Sequence, residues 1–223
     1  MIRFLALAAI LLSAASCGEA EDPAANRPRP VLNVTQPRPA PEPPAPKQEA
    51  DIVPVRIETE RGDIVVALDV RRAPVTARNF LRYVDARRFD GIFFYRAARR
   101  PQTRDMGFIQ AGIRHNIRLA FEPIAHEPTS ETGIRHLDGT ISMARDAPGS
   151  AMGDFFITIG AAPSMDASGA DDPGFAAFGR VRSGMDVARR ILAAPTVENA
   201  GRGAMRGQMI TEPIRIISVR REE

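Results

Sequence analysis

Residues 139–159 read GTISMARDAPGSAMGDFFITI. Two short apolar pieces flank a loop of small and polar residues, so the stretch predicts a strand, a loop and a strand. The second piece carries Phe155 and Phe156 side by side. Successive side chains of a strand point to opposite faces, so these two rings cannot share an environment. Phe155 is assigned to the core, leaving Phe156 for the other face. Upstream, Phe93-Phe94-Tyr95-Arg96 and Gly107-Phe108-Ile109-Gln110-Ala111-Gly112 embed an arginine and a glutamine in equally apolar runs. A solvated surface does not require such surroundings, and the three segments are read as parts of one site.

Outward from this centre, the chain divides into three. Residues 1–17 begin with Arg3, run apolar from Phe4 to Leu12 and finish Ser13-Ala14-Ala15-Ser16-Cys17. A charged start, a short hydrophobic region and a small-residue end make an export signal, too short to span a bilayer. Residues 18–52 lack periodic apolar pattern and are crowded with proline, from Pro23 to Pro46. They are read as a disordered linker. In polyproline II at about 3.1 Å per residue, some thirty residues would reach roughly 90 Å. Residues 53–223 carry the periodicity of a folded domain.

In that domain Val53, Val55 and Ile57 alternate, Arg61-Gly62-Asp63 turns, and Ile64, Val66 and Leu68 alternate again, predicting a β-hairpin. Pro74 suits a first helical position, and Ala77, Phe80, Leu81 and Val84 repeat at helical spacing. Ile92 to Tyr95 reads as a buried strand that ends by delivering Arg96, with Ala97 to Met106 as a polar loop. A second helix is expected from Met185 to about Ala193, with Ser183 and Asp186 spaced as a capping box and Pro195 beyond its end. Ile214, Ile216, Ile217 and Val219 predict a closing strand. Many short strands and two helices favour a capped barrel.

Composition excludes several functions. The pI is near 9.7, yet the net charge is only +3 and Lys47 is the sole lysine. Basic residues are interspersed with acidic ones, so no nucleic-acid face is expected. One cysteine excludes an internal disulfide, and His115, His126 and His136 have no metal-ligand spacing. The histidines are assigned to surface or loop, and no metal or other cofactor is expected.

The ordered blocks FFYR, GFIQAG, GTISMA, GDFFI and AFGRV (Ala177 to Val181) resemble the cyclophilin-type peptidyl-prolyl cis-trans isomerases, over roughly Val53 to Arg221. The resemblance implies a mainly β fold, a closed eight-stranded antiparallel barrel capped by two α-helices. It implies prolyl isomerisation with Arg96 and Gln110 as catalytic residues. Phe108, Phe156 and Met165 would wall a proline pocket, supported by Phe94. Ala144 and Arg145 would line the edge beside the residue preceding proline, and Asp154 and Phe175 would complete the substrate-binding set. The chain departs from the family at Asp154, often Gln, at Gly107, often Phe, and at Phe175, often His. It has no tryptophan, the residue many members use to bind cyclosporin, and Ser164 or Met165 lies near that place.

The end of the leader resembles a bacterial lipoprotein lipobox, with Cys17 as the lipidation site and Ala14 where that motif most often has Leu. Gly18, not Asp, implies outer-membrane sorting. Simple secretion with cleavage nearby is the alternative. The expected partners are proline-containing polypeptides and, through Cys17, the membrane, with the chain a monomer on the periplasmic side of the envelope. Two other classes stay open: a cyclophilin-like module that binds proline segments without turning them over, and a tethered scaffold whose proline-rich segment docks partners.

Overall fold

The computed structural model describes residues 51–222 except His115 and Ala170. The expected leader, Cys17, the proline-rich segment as far as residue 50, and His115 lie outside the described residues.

The first hairpin sets the pattern. In β1 (Ile52–Thr59), Val53, Val55, Ile57 and Thr59 are buried while their neighbours are less so. The strand pairs with β2 (Gly62–Asp69) in register, Val55 against Val66 and Thr59 against Gly62. Next comes helix α1 (Pro74–Asp85), which buries Ala77, Phe80, Leu81 and Val84 as their spacing predicts. No side chain of its own caps it. Instead the Glu127 carboxylate, 51 residues away, accepts from the Val75 and Thr76 amides at 3.0 and 2.7 Å, satisfying orphan donors at the positive end of the helix.

The remaining elements are β3 (Phe93–Arg99), β4 (Gly107–Gly112), a short α2 (Thr129–Thr132), β5 (Thr140–Met143), β6 (Phe155–Ile159), β7 (Ala176–Ser183), α3 (Met185–Leu192), β8 (Thr196–Val197) and β9 (Met209–Arg221). All pairings are antiparallel, in the order β1-β2-β7-β5-β6-β4-β3-β9, and β1 pairs with β9 to close eight strands into a barrel. Among the described residues, the short β8 pairs only with β9. Alternation along each strand fills the interior with Val, Ile, Leu and Phe, α1 packs on β2, β7 and β9, and α3 packs on β2, β3, β4 and β6.

Three details differ from the reading of the sequence. Among the described residues a third helix, α2, a single turn closed by Gly133, joins the two that were expected. Ser183 does not cap α3, because it still belongs to β7, paired with Val65. Gly184 is the N-cap at φ +89°, and a Cβ there would lie 2.2 Å from the Asp63 carbonyl oxygen; only glycine combines that dihedral with that approach. Asp186 instead pairs with Arg190 one turn on, at 2.6 Å. Finally, Ala97–Arg99 are strand, not loop, because they pair with Ile109, Phe108 and Gly107 of β4; the Arg99 guanidinium also reaches the Leu192 carbonyl at 2.8 Å and that of Ala194. A cation at the end of α3 suits the helix dipole.

Candidate active site

Arg96 lies within β3, opposite Gln110 of β4 and Met209 of β9, and the register shifts between Phe94 and Arg96 in both pairings. This bulge inserts Tyr95 as an extra residue, and an extra residue reverses the alternation beyond it. Phe94 therefore faces the interior, while Arg96 faces outward beside its partner Gln110. The expectation that Phe94 supports the proline pocket is corrected on this ground. Phe94 is fully buried in the core, its ring 6.2 Å from that of Phe155.

The outward face of β4 and β6 presents Phe108, Gln110 and Phe156. The Phe108 and Phe156 rings are 5.3 Å apart, and Phe175 stands edge-on to Phe156 at 5.4 Å and 88°. Met165 joins them through its carbonyl, which accepts from the Phe175 amide at 2.9 Å. Cations sit at both margins of these rings, Arg96 with its guanidinium carbon 4.8 Å from the Phe108 centroid and Arg145 5.1 Å from that of Phe175. The Arg145 guanidinium also donates to the Gly174 carbonyl, Nε at 3.1 Å. At the edge, the Ala144 amide donates to the Asp154 carbonyl at 2.9 Å.

Arg96 is held by a chain of hydrogen bonds. Its Nε donates to Gln208 Oε1 at 2.8 Å, and its Nη1 to Gln110 Oε1 at 2.9 Å. A guanidinium can only donate, so the Gln110 amide must turn its oxygen to Arg96 and its NH2 away. That NH2 donates to the Tyr95 hydroxyl at 2.7 Å, and the hydroxyl donates to Asp154 Oδ1 at 2.8 Å. Burial and the neighbouring Asp154 charge push the Tyr95 phenol above its usual range, so it stays a donor. Burial also draws Arg96 below its ordinary value, yet a guanidinium keeps its charge in proteins. Asp154 is thus occupied by Tyr95 and by the Arg114 amide at 3.2 Å.

His136, expected at the surface or in a loop, lies in the irregular segment between α2 and β5 and is buried there, at 1% exposure. Its ring lies parallel to Phe156, 5.9 Å away at 11°. Nδ1 is 2.7 Å from Asp166 Oδ1 and Nε2 is 2.9 Å from Ser142 Oγ. Burial lowers its pKa, opposed by Asp166. Among the described residues, no group of three or more His, Cys, Asp or Glu side chains could hold a metal ion.

Sequence reading had not picked out Tyr95, Gln208 or His136. Tyr95 was visible beside Arg96, whereas Gln208 lies 112 positions from it and carries no local signal.

The model of the cyclophilin type peptidyl-prolyl cis-trans isomerase/CLD family matches residues 54–221. The chain belongs to the cyclophilin-type peptidyl-prolyl cis-trans isomerases. Similar relatives include peptidyl-prolyl cis-trans isomerase A of Dickeya dadantii, 36% identical over 66% of this chain and 74% of that protein. Another is peptidyl-prolyl cis-trans isomerase B of Escherichia coli, 32% identical over 74% and 97%. A crystal structure of a Cryptosporidium parvum cyclophilin, obtained in the presence of the dipeptide Ala-Pro, superposes with TM-score 0.61 at 18% identity, over 76% of this chain and 99% of that one. This cyclophilin is accordingly an isomerase enzyme.

Its departure at Gly107 has a local cause. Gly107 has φ +147°, and a Cβ there would lie 1.9 Å from the Ala98 carbonyl oxygen, leaving no room for the family's Phe. The turn that follows β3 folds back on itself, the Arg100 amide donating to the Met106 carbonyl at 3.0 Å. It leans on the approach to Met165 through the Arg100 guanidinium and the Ala161 carbonyl.

Proposed function

We propose that the enzyme isomerises X-Pro bonds by donating a hydrogen bond from Arg96 to the prolyl nitrogen, with the proline ring seated among Phe108, Phe156, Met165 and Phe175. Amide resonance opposes rotation by about 18–20 kcal/mol. In the twisted transition state the lone pair returns to nitrogen, so a fixed donor aimed there binds the transition state more tightly than the ground state. Each 1.36 kcal/mol of such selective binding is worth about tenfold in rate. The observation that carries the reading is the guanidinium held by Gln208 and Gln110 at the margin of a cluster of aromatic rings. Gln110 would also hold the substrate backbone, and Ala144 and Arg145 the residue preceding proline. The test is NMR exchange of a proline-containing peptide with the full chain: Arg96→Ala should reduce catalysed exchange by about 10²–10³-fold and leave peptide binding measurable. Binding with no exchange in the wild type would select a binding module instead.

We further propose that the enzyme works on proline-containing segments of folding envelope proteins, as a monomer on the periplasmic side, tethered through lipidated Cys17. The charged start, apolar run and small residues before Cys17 support this. Mass spectrometry of the mature amino terminus should find a diacylglyceryl cysteine at position 17; an unmodified terminus elsewhere overturns the tether alone.

A further inference from the structure

We infer that His136 and Asp166 are positioning residues for the prolyl pocket, a clamp that holds the Phe156 ring and the turn bearing Met165 in the geometry that grips proline. Asp166 follows the turn Pro163–Met165, and its Oδ1 accepts from the His136 amide at 2.9 Å as well as from Nδ1 at 2.7 Å. With its proton on Nδ1, the imidazole presents Nε2 as an acceptor to the Ser142 hydroxyl, 2.9 Å away. Ser142 pairs directly with Phe156 across β5 and β6. One imidazole therefore ties down the strand beside Phe156, stacks on the Phe156 ring itself, and through Asp166 fixes the turn whose Met165 carbonyl holds Phe175.

The order Asp–His–Ser is that of a hydrolytic triad, but Ser142 has no exposed surface. Its hydroxyl can meet no carbonyl substrate. The three groups act as a strut, in which every polar edge of the buried ring has a partner, as a buried polar network must.

The clamp rests on the isomerase reading, and the two can be separated. A wall that grips proline equally in ground and transition states affects substrate affinity and leaves the turnover of bound substrate alone. In the full chain, Asp166→Ala, which removes the acceptor for both the His136 amide and Nδ1, should weaken binding of a proline-containing peptide about tenfold, the order of a lost hydrogen bond to a charged group, with exchange at saturation within threefold of wild type. Asp166→Asn keeps an oxygen acceptor and should restore the Kd to within twofold of wild type. Ser142→Ala, which deletes one donor only, should shift the Kd in the same direction if Asp166→Ala does not fold. A role in stability alone would lower the melting temperature and scale turnover with the folded fraction while leaving Kd unchanged, and that result overturns the clamp. A wild type with no catalysed exchange overturns the isomerase reading instead.

Discussion

Phe155 and Phe156 are neighbours in one strand and live in different chemistry. Phe155 meets Phe80 edge-on at 5.1 Å, Phe89 at 5.5 Å and Phe94 at 6.2 Å, all in the buried core. Phe156 meets Phe108, Phe175 and His136 on the outer face. The inner cluster is closed and apolar, so its contribution is burial. The outer cluster is bordered by Arg96 and Arg145, so apolar surface there lies beside fixed donors. A single strand thus separates a core ring from a ring of the proposed site by a step of one residue.

The comparison breaks most sharply at Arg96. Arg96→Ala should reduce catalysed exchange by about 10²–10³-fold, the range for loss of one preorganised donor, with little change in melting temperature because no core ring moves. Next, Phe155→Ala should cost about 3–5 kcal/mol in denaturant unfolding, as for other large-to-small core substitutions, while the protein that stays folded binds peptide normally. Phe156→Ala should do the reverse, weakening peptide binding more than stability. Equal effects of the two substitutions on both readouts would refute the division between the faces.

Smaller effects sharpen it. Tyr95→Phe keeps the ring but removes the acceptor for Gln110 and the donor to Asp154. Exchange at saturation should fall about tenfold, the worth of an oriented hydrogen bond, with peptide Kd unchanged; a change confined to Kd would place Tyr95 in binding instead. The smallest effect is on pH dependence. Burial depresses the His136 pKa, so the unfolded chain takes up the proton first as pH falls. Stability should be level above the unfolded value of about 6.5 and decline below it until the folded pKa is reached, by at most about 1.4 kcal/mol per pH unit. His136→Phe should flatten that slope in unfolding measured from pH 7 to pH 4.

Much of this was legible because it is local. The alternation of Val53, Val55 and Ile57, the helical spacing of Ala77, Phe80, Leu81 and Val84, and the opposition of Phe155 and Phe156 depend on residues a few positions apart. The motif blocks around Arg96, Gln110 and Phe156 identified the family and pointed to one site. Phe94 was misplaced because a bulge is a relation between two strands, and neither strand alone carries it. The capping box failed for a similar reason, since pairing with Val65 keeps Ser183 in β7.

The sequence by itself determined the periodicities, and with them which faces are apolar, which family the chain belongs to and which charged group stands among aromatic residues. Only the tertiary structure decided how those groups are held. Tyr95 orients Gln110, Gln208 reaches Arg96, and the loop residue His136 is buried against Phe156. Hydrogen bonds act over about 3 Å in space and have no preferred separation along a chain, so their partners emerge only when the strands have closed.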